Sequence, residues 1–175
     1  EEALEPRTRV VLVQRSRGYS LRRALTVEET GRAVQVVRGC SRRALVLVDN
    51  CYGEFVEEVE PCAVGADLCA GSLIKNPGGG LAPTGGYIAG KADLVEQVAY
   101  RLYAPGQGRE VGPTGSWLRL AAQGFFWAPH AAGQALGTAV FAAHFFARLG
   151  LGVSPAAGEE RGDIVQSVVL GTPQR

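Results

Sequence analysis

The 175-residue chain has no methionine, two histidines, four cysteines and two lysines among its 18 basic residues, and its 17 acidic residues almost cancel the basic ones. Each shortage closes off a class of function. A formal net charge of +1 gives neither the basic field that nucleic acid attracts nor an acidic tail, so no nucleic-acid partner is expected. Cys40, Cys51, Cys62 and Cys69 form no C-x-x-C pair, and His130 and His144 stand apart without further ligand candidates, which disfavours a zinc site. The cysteines are also too sparse for a secreted disulfide framework and read as reduced thiols. No G-x-x-x-x-G-K-[ST] occurs, which excludes the usual phosphate loop. Long apolar runs are missing too. The segment 131–153 is rich in Ala, Phe and Leu but carries Gln134, Thr138, His144 and Arg148, so it reads as a buried helix and no membrane association is expected. With neither a starting Met nor a secretory signal, the chain is expected to be an internal piece of a longer cytoplasmic protein.

At 46% hydrophobic and 20% charged residues the chain can bury a substantial core. Short continuous apolar runs at 9–14 and 44–48 predict strands covered on both faces. Between them Thr26 and Glu29 form a capping box that opens a helix carrying Val27, Ala33, Val34 and Val37. Strand, helix, strand is a crossover unit, with its ligand crevice at the carboxyl ends of the strands. Further strands are predicted at 66–72 and 87–90, an amphipathic helix at 91–103, and a Gly/Pro loop at 105–115. Two helices are expected at 116–126 and 129–149, with Pro129 in the first turn of the second, and 163–170 reads as strand-like. The fold class is therefore α/β, a mostly parallel sheet sandwiched by helices.

One lysine stands out. Lys75 follows the strand ending in Gly71-Ser72, just before Asn76-Pro77-Gly78-Gly79-Gly80, in a chain that uses Arg for almost all other positive charge. A lysine can lose its proton and attack a carbonyl, which a guanidinium cannot do. Asp49 ends the neighbouring strand. A pyridoxal 5'-phosphate site needs an amine for the cofactor aldehyde and an anion to keep the pyridine nitrogen protonated, and Lys75 and Asp49 supply both. Tyr52, three residues past the aspartate, is placed to hydrogen-bond the ring oxygen, and Ser72 to donate to the phosphate.

As a set, Gln14-Arg15-Ser16-Arg17-Gly18-Tyr19-Ser20, Val48-Asp49-Asn50-Cys51-Tyr52-Gly53-Glu54-Phe55, Gly71-Ser72-Leu73-Ile74-Lys75-Asn76-Pro77-Gly78-Gly79-Gly80 and Thr84-Gly85-Gly86-Tyr87-Ile88-Ala89-Gly90 resemble segments of the methionine gamma-lyase-like, or aluminium resistance, proteins of the Cys/Met-metabolism group. The resemblance implies a fold-type I large domain. Residues 1–115 would be part of the cofactor-binding domain, 116–150 helices linking to a small domain, and 151–175 the start of that small domain. It implies Lys75 as the cofactor-bearing lysine, Asp49 as the pyridine-nitrogen partner and Ser72 as a phosphate ligand; Tyr52 is carried over from aminotransferases of the same fold. Many lyases of the group have Thr directly before the lysine, where this chain has Ile74. The activity implied is a carbon-sulfur lyase acting on a small sulfur-containing amino acid in a homodimer or homotetramer. An aminotransferase and a non-catalytic cofactor-binding stress-resistance protein are the alternatives.

The remaining signals carry bland expectations. Arg15, Arg17 and Tyr19 follow the first strand and could face substrate, but charged loop residues are usually solvated and that is the expectation; Cys51 is expected to be a buried inert thiol. The glycines at 78–80 either form a flexible connector or let the backbone approach a cofactor or a neighbouring subunit. Phe125, Phe126, Trp127, Phe145 and Phe146 fit either a core or a subunit contact.

Overall fold

A computed structural model describes residues 4–103, 105–110, 112 and 115–172. Four strands, β1 (Val10–Gln14), β2 (Leu45–Asp49), β3 (Leu68–Ser72) and β4 (Gly86–Gly90), form one sheet in the order β1-β2-β3-β4. The first three run parallel and β4 runs antiparallel to β3, which confirms the α/β class with a mostly parallel sheet. Helix α1 (Val27–Cys40) makes the crossover from β1 to β2. Thr26 accepts the Glu29 N–H at 3.1 Å while the Glu29 carboxylate accepts the Thr26 N–H at 3.0 Å, so the predicted capping box is formed. Val34 and Val37 of α1 pack on Val46 and Val48, whose alternation places both on one face of β2. Burial of this face, rather than helix propensity, holds α1 in place.

The amino ends of the strands are fastened by one carboxylate. Asp67, buried just before β3, accepts the Val46 N–H at 2.7 Å and meets the Arg38 guanidinium at 2.5 Å and the Lys91 amine at 2.6 Å. It ties β2, the end of α1 and the start of α2 (Ala92–Leu102) to one point. Burial alone would raise its pKa, but the bonds from Arg38, Lys91 and Val46 outweigh that and hold it at about 2.

The predicted helices at 116–126 and 129–149 are one helix, α3 (Leu118–Arg148), with Pro129 inside it. An interior proline removes a helix hydrogen bond and ordinarily costs about 3 kcal/mol. The reason it is tolerated lies in the buried stripe Gly124, Ala128, Ala132, Ala139 and Ala143, which runs through the proline without a change of face. These small residues let α3 lie close to the turn at Asn76–Gly78. A Cβ added at Gly79 would overlap the Gly124 carbonyl, and one at Gly124 the Gly78 carbonyl. The glycines at 78 and 79 thus serve a close backbone approach, here to helix α3 of the same chain, rather than a flexible connector. With the inner face made of alanines, Phe125, Phe126 and Phe145 are 58%, 81% and 47% exposed, so they are not part of the core that α1 and β2 form within this chain.

The strand-like segment at 163–170 contributes three residues, β6 (Ser167–Val169), paired antiparallel with β5 (Gly152–Ser154). Asp163 breaks the extended run by accepting the Val165 N–H at 3.0 Å in a turn. Among the described residues no helix is long and apolar enough to cross a membrane.

Candidate functional site

The carboxyl ends of β1, β2 and β3 open on a cavity of about 870 Å³. Gln14 pairs with Asp49 across β1 and β2, and Asp49 pairs with Ala70 of β3, so the chain leaves three adjacent strands at one level. Asp49, Cys51, Tyr52 and Lys75 all line the cavity. Asp49 Oδ1 accepts the Cys51 N–H at 3.1 Å, the turn-capping role that an aspartate at a strand end commonly has, and this bond turns the chain so that Tyr52 follows. Tyr52 sits in the left-handed region at φ 68°, a conformation that costs a non-glycine residue on the order of 1 kcal/mol. Its carbonyl accepts the Ile164 N–H at 3.2 Å. The ring then lies beneath the Lys75 amine, whose Nζ is 4.3 Å from the ring centre.

Lys75 follows a tight turn in which its N–H donates to the Ser72 carbonyl at 3.2 Å. Burial pulls its ammonium down, but Cys51, Tyr52 and Asp49 together carry it above the ordinary lysine value. Burial pushes the Cys51 thiol up, assisted by Asp49 and opposed by Lys75. At neutral pH both groups therefore hold their protons, so Lys75 is not deprotonated by desolvation alone. Cys51 is half-buried at the cavity wall, where an inert core thiol had been expected. Ser72 ends β3, half-buried, and is not part of this wall. Three of the four proposed cofactor residues are thus brought together, and Ser72 stands apart from them.

The loop after β1 departs most from expectation. Arg15 is fully buried and Arg17 is 3% exposed, whereas Tyr19 is fully solvated. Arg15 donates to Asn50 Oδ1 at 2.8 Å, to the Gly53 carbonyl at 2.9 Å and to Glu57, clamping the segment that carries Asp49 and Tyr52. Arg17 lines the cavity with Arg22, and its guanidinium donates to the Arg22 carbonyl at 3.0 Å, to Ser154 Oγ at 3.1 Å and to the Ser154 carbonyl. Asp163 accepts Ser16 Oγ at 2.7 Å and the Arg17 N–H at 3.0 Å, which brings Val165, Gln166 and Ser167 to the same wall. The signal for these residues was topological: they follow β1 at the level where Gln14 meets Asp49, the position at which parallel sheets hold ligands.

A second cavity of about 400 Å³ lies beside β4, lined by Glu54, Cys62, Cys69, Tyr87 and Phe125 among others. Tyr87 donates to Glu54 Oε1 at 2.9 Å, while Glu54 Oε2 is buried without a partner. Burial pushes the Glu54 carboxyl up to about 7.

Comparison with known proteins agrees with this geometry. The family model described as methionine gamma-lyase matches residues 1–175. The Bacillus subtilis (strain 168) protein YnbB is 51% identical over 166 residues, 95% of this chain and 39% of YnbB. A Listeria monocytogenes protein described as a candidate cystathionine beta-lyase involved in aluminium resistance is 48% identical, with a TM-score of 0.93 over 97% of this chain and 43% of that one. A Clostridium novyi NT structure described as a carbon-sulfur lyase involved in aluminium resistance is 45% identical, with a TM-score of 0.89 over 94% of this chain and 39% of that one. This chain therefore spans about two fifths of the length of these relatives. By sequence and by fold alike, it belongs to the methionine gamma-lyase family.

Proposed function

We propose that the full-length protein is a pyridoxal 5'-phosphate-dependent carbon-sulfur lyase acting on a sulfur-containing amino acid. The observation that carries this reading is the meeting of Asp49, Tyr52 and Lys75 on one cavity wall, delivered by two adjacent strand ends. The lining also fits an anionic cofactor: Arg17, Arg22 and Lys75 face it against the single carboxylate of Asp49. Asp49 would hold a proton on the pyridine nitrogen, Lys75 would carry the cofactor, and Tyr52 would meet the ring oxygen. Ser72 is the one of the four candidates for which the cavity gives no support.

When bound, the cofactor withdraws electrons from the substrate α-carbon. The chain supplies the proton handling. Lys75, which loses its proton when it carries the cofactor, would take the α-proton once released as a neutral amine. The ammonium so formed is stabilised by the Tyr52 face and the Asp49 carboxylate, and from there it can give a proton to the departing sulfur. Water completes the reaction to a keto acid and ammonia. The outward-facing Phe125, Phe126, Phe141 and Phe145 offer the surface on which a second copy, or the rest of the polypeptide, would pack.

The test is to incubate the full-length protein and cofactor with methionine, cystathionine and cysteine. Release of thiol and ammonia without a keto-acid acceptor supports the lyase. Dependence on an acceptor would make it an aminotransferase, and a cofactor absorbance band without turnover would make it a non-catalytic binder.

A further inference from the structure

An asparagine follows each of the two residues that would hold the cofactor: Asn50 comes directly after Asp49, and Asn76 directly after Lys75. Both are buried, Asn50 at 1% and Asn76 at 7% exposure, and the mechanism uses neither. Asn50 anchors its own loop: its Oδ1 accepts from Arg15 at 2.8 Å and its Nδ2 donates to Glu60 Oε2 at 2.7 Å. Asn76 reaches out of its turn, and its Nδ2 donates to the Glu54 carbonyl at 3.0 Å. That carbonyl is a fixed point. The same peptide unit gives its N–H, that of Phe55, to Glu60 Oε1 at 3.0 Å, and Arg15 holds the preceding carbonyl, of Gly53, at 2.9 Å. Tyr52 and Phe55, on either side of this stretch, stand in the left-handed region at φ 68° and 61°, a conformation that persists only where surrounding bonds enforce it.

Among the described residues, the Asn76–Glu54 bond is the one hydrogen bond that joins the turn at 73–79 to the loop at 50–57. The Lys75 amine and the Tyr52 ring, 4.3 Å apart, belong to opposite sides of that junction. Parting a buried donor from a buried carbonyl leaves both unsatisfied, so the junction resists separation. We infer that Asn76 is a positioning residue for Lys75: its amide, bonded to the Glu54 carbonyl, sets the reach of the reactive amine over Tyr52 and Asp49. The assignment rests on Lys75 as the reactive lysine of the proposed lyase. It also accounts for an amide at position 76, because an aspartate has the same shape but, when ionised, sets a lone pair against the carbonyl.

The experiment uses the full-length protein with pyridoxal phosphate, assayed at temperatures where each variant is folded. Asn76→Ala should lower kcat for thiol release from methionine or cystathionine roughly tenfold to a hundredfold, with KM changed less than about threefold. Asn76→Asp should lose as much at about pH 8 and regain most of the loss as the pH falls to about 6, because the protonated carboxyl of a buried aspartate can again donate to the Glu54 carbonyl. Should Asn76→Ala fail to fold, Asn76→Asp, of native shape, carries the test against the wild type. A second readout needs neither turnover nor cofactor: in the full-length apoprotein, benzaldehyde is captured on Lys75 by borohydride reduction and located by mass spectrometry. Tyr52 and Asp49 favour the ammonium, so Asn76→Ala should move the pH profile of this capture to lower pH. A folded Asn76→Ala with the wild-type kcat, or with an unshifted capture profile, would overturn the assignment, as would an Asn76→Asp whose deficit does not shrink at lower pH. If the wild type turns over no sulfur amino acid yet the capture profile shifts in Asn76→Ala, the lyase reading fails and the positioning role stands.

Discussion

The two ends of the sheet differ in how far their buried charge is paired, although Arg15 at the carboxyl ends is paired with Glu57. At the amino ends, Asp67 is surrounded by two cations and a backbone N–H, so every charge there has its partner. At the carboxyl ends, Arg17 is equally buried yet touches only neutral oxygens, and Lys75 rests on an aromatic face. The first arrangement is what a protein does to hold itself together. The second leaves charged groups lining a cavity, as ligand-binding clefts commonly do. Both depend on the same three parallel strands.

The contrast can be broken from either end. The largest effect is expected at Lys75: Lys75→Ala should abolish turnover, by about 10³-fold or more, and remove the visible absorbance band expected of the full-length protein with pyridoxal phosphate. Stability should change by no more than about 1 kcal/mol, because Lys75 lines an open cavity and rests there on the Tyr52 ring and the Cys51 thiol. At the opposite end, Asp67→Asn should cost about 3 kcal/mol in denaturant unfolding, since it leaves Arg38 and Lys91 without their anion, while activity persists at temperatures where the variant is folded. Because the native Asp67 pKa is lowered to about 2, its stabilisation is present above the ordinary carboxylate range and is lost as pH falls toward 2.

Glu54 sharpens the comparison as a buried carboxyl of the opposite kind. Its native pKa is raised to about 7, so the folded state keeps the proton that the unfolded state has released above about 4.5. Stability attributable to it is intact below 4.5 and declines as pH rises through 7, by on the order of 3 kcal/mol. In melts from pH 5 to 8, Glu54→Gln should flatten that decline relative to the wild type; parallel curves would refute it. The smallest effect is expected from Tyr52→Phe, which keeps the ring beneath Lys75 and removes only the hydroxyl. Cofactor affinity measured by spectroscopic titration should weaken less than tenfold.

What could be read from the sequence divides along physical lines. The parallel strands, the Thr26 capping box and the presence of Asp49 and Lys75 on one cavity wall follow from local patterns plus one topological rule, and were legible. Pro129 misled because local chemistry places proline at helix starts, whereas the alanine stripe of α3 is a matter of packing against a distant turn. Arg15 and Arg17 were expected in solvent because charge near a turn usually is; their burial depends on partners 35 to 137 residues away, which no local window contains. Ser72 was chosen by spacing to Lys75, but the turn that joins them leaves it off the cavity wall.

The meeting of Gly79 with Gly124 has a mechanical implication. Where two backbones interlock without intervening side chains, neither can slide without the other, and the residues concerned are only four positions past Lys75 on one side and in the first third of a 31-residue helix on the other. Position 75 is therefore close to a backbone contact with the longest helix among the described residues. A side chain larger than glycine at 79 or 124 would have to shift the turn that follows Lys75.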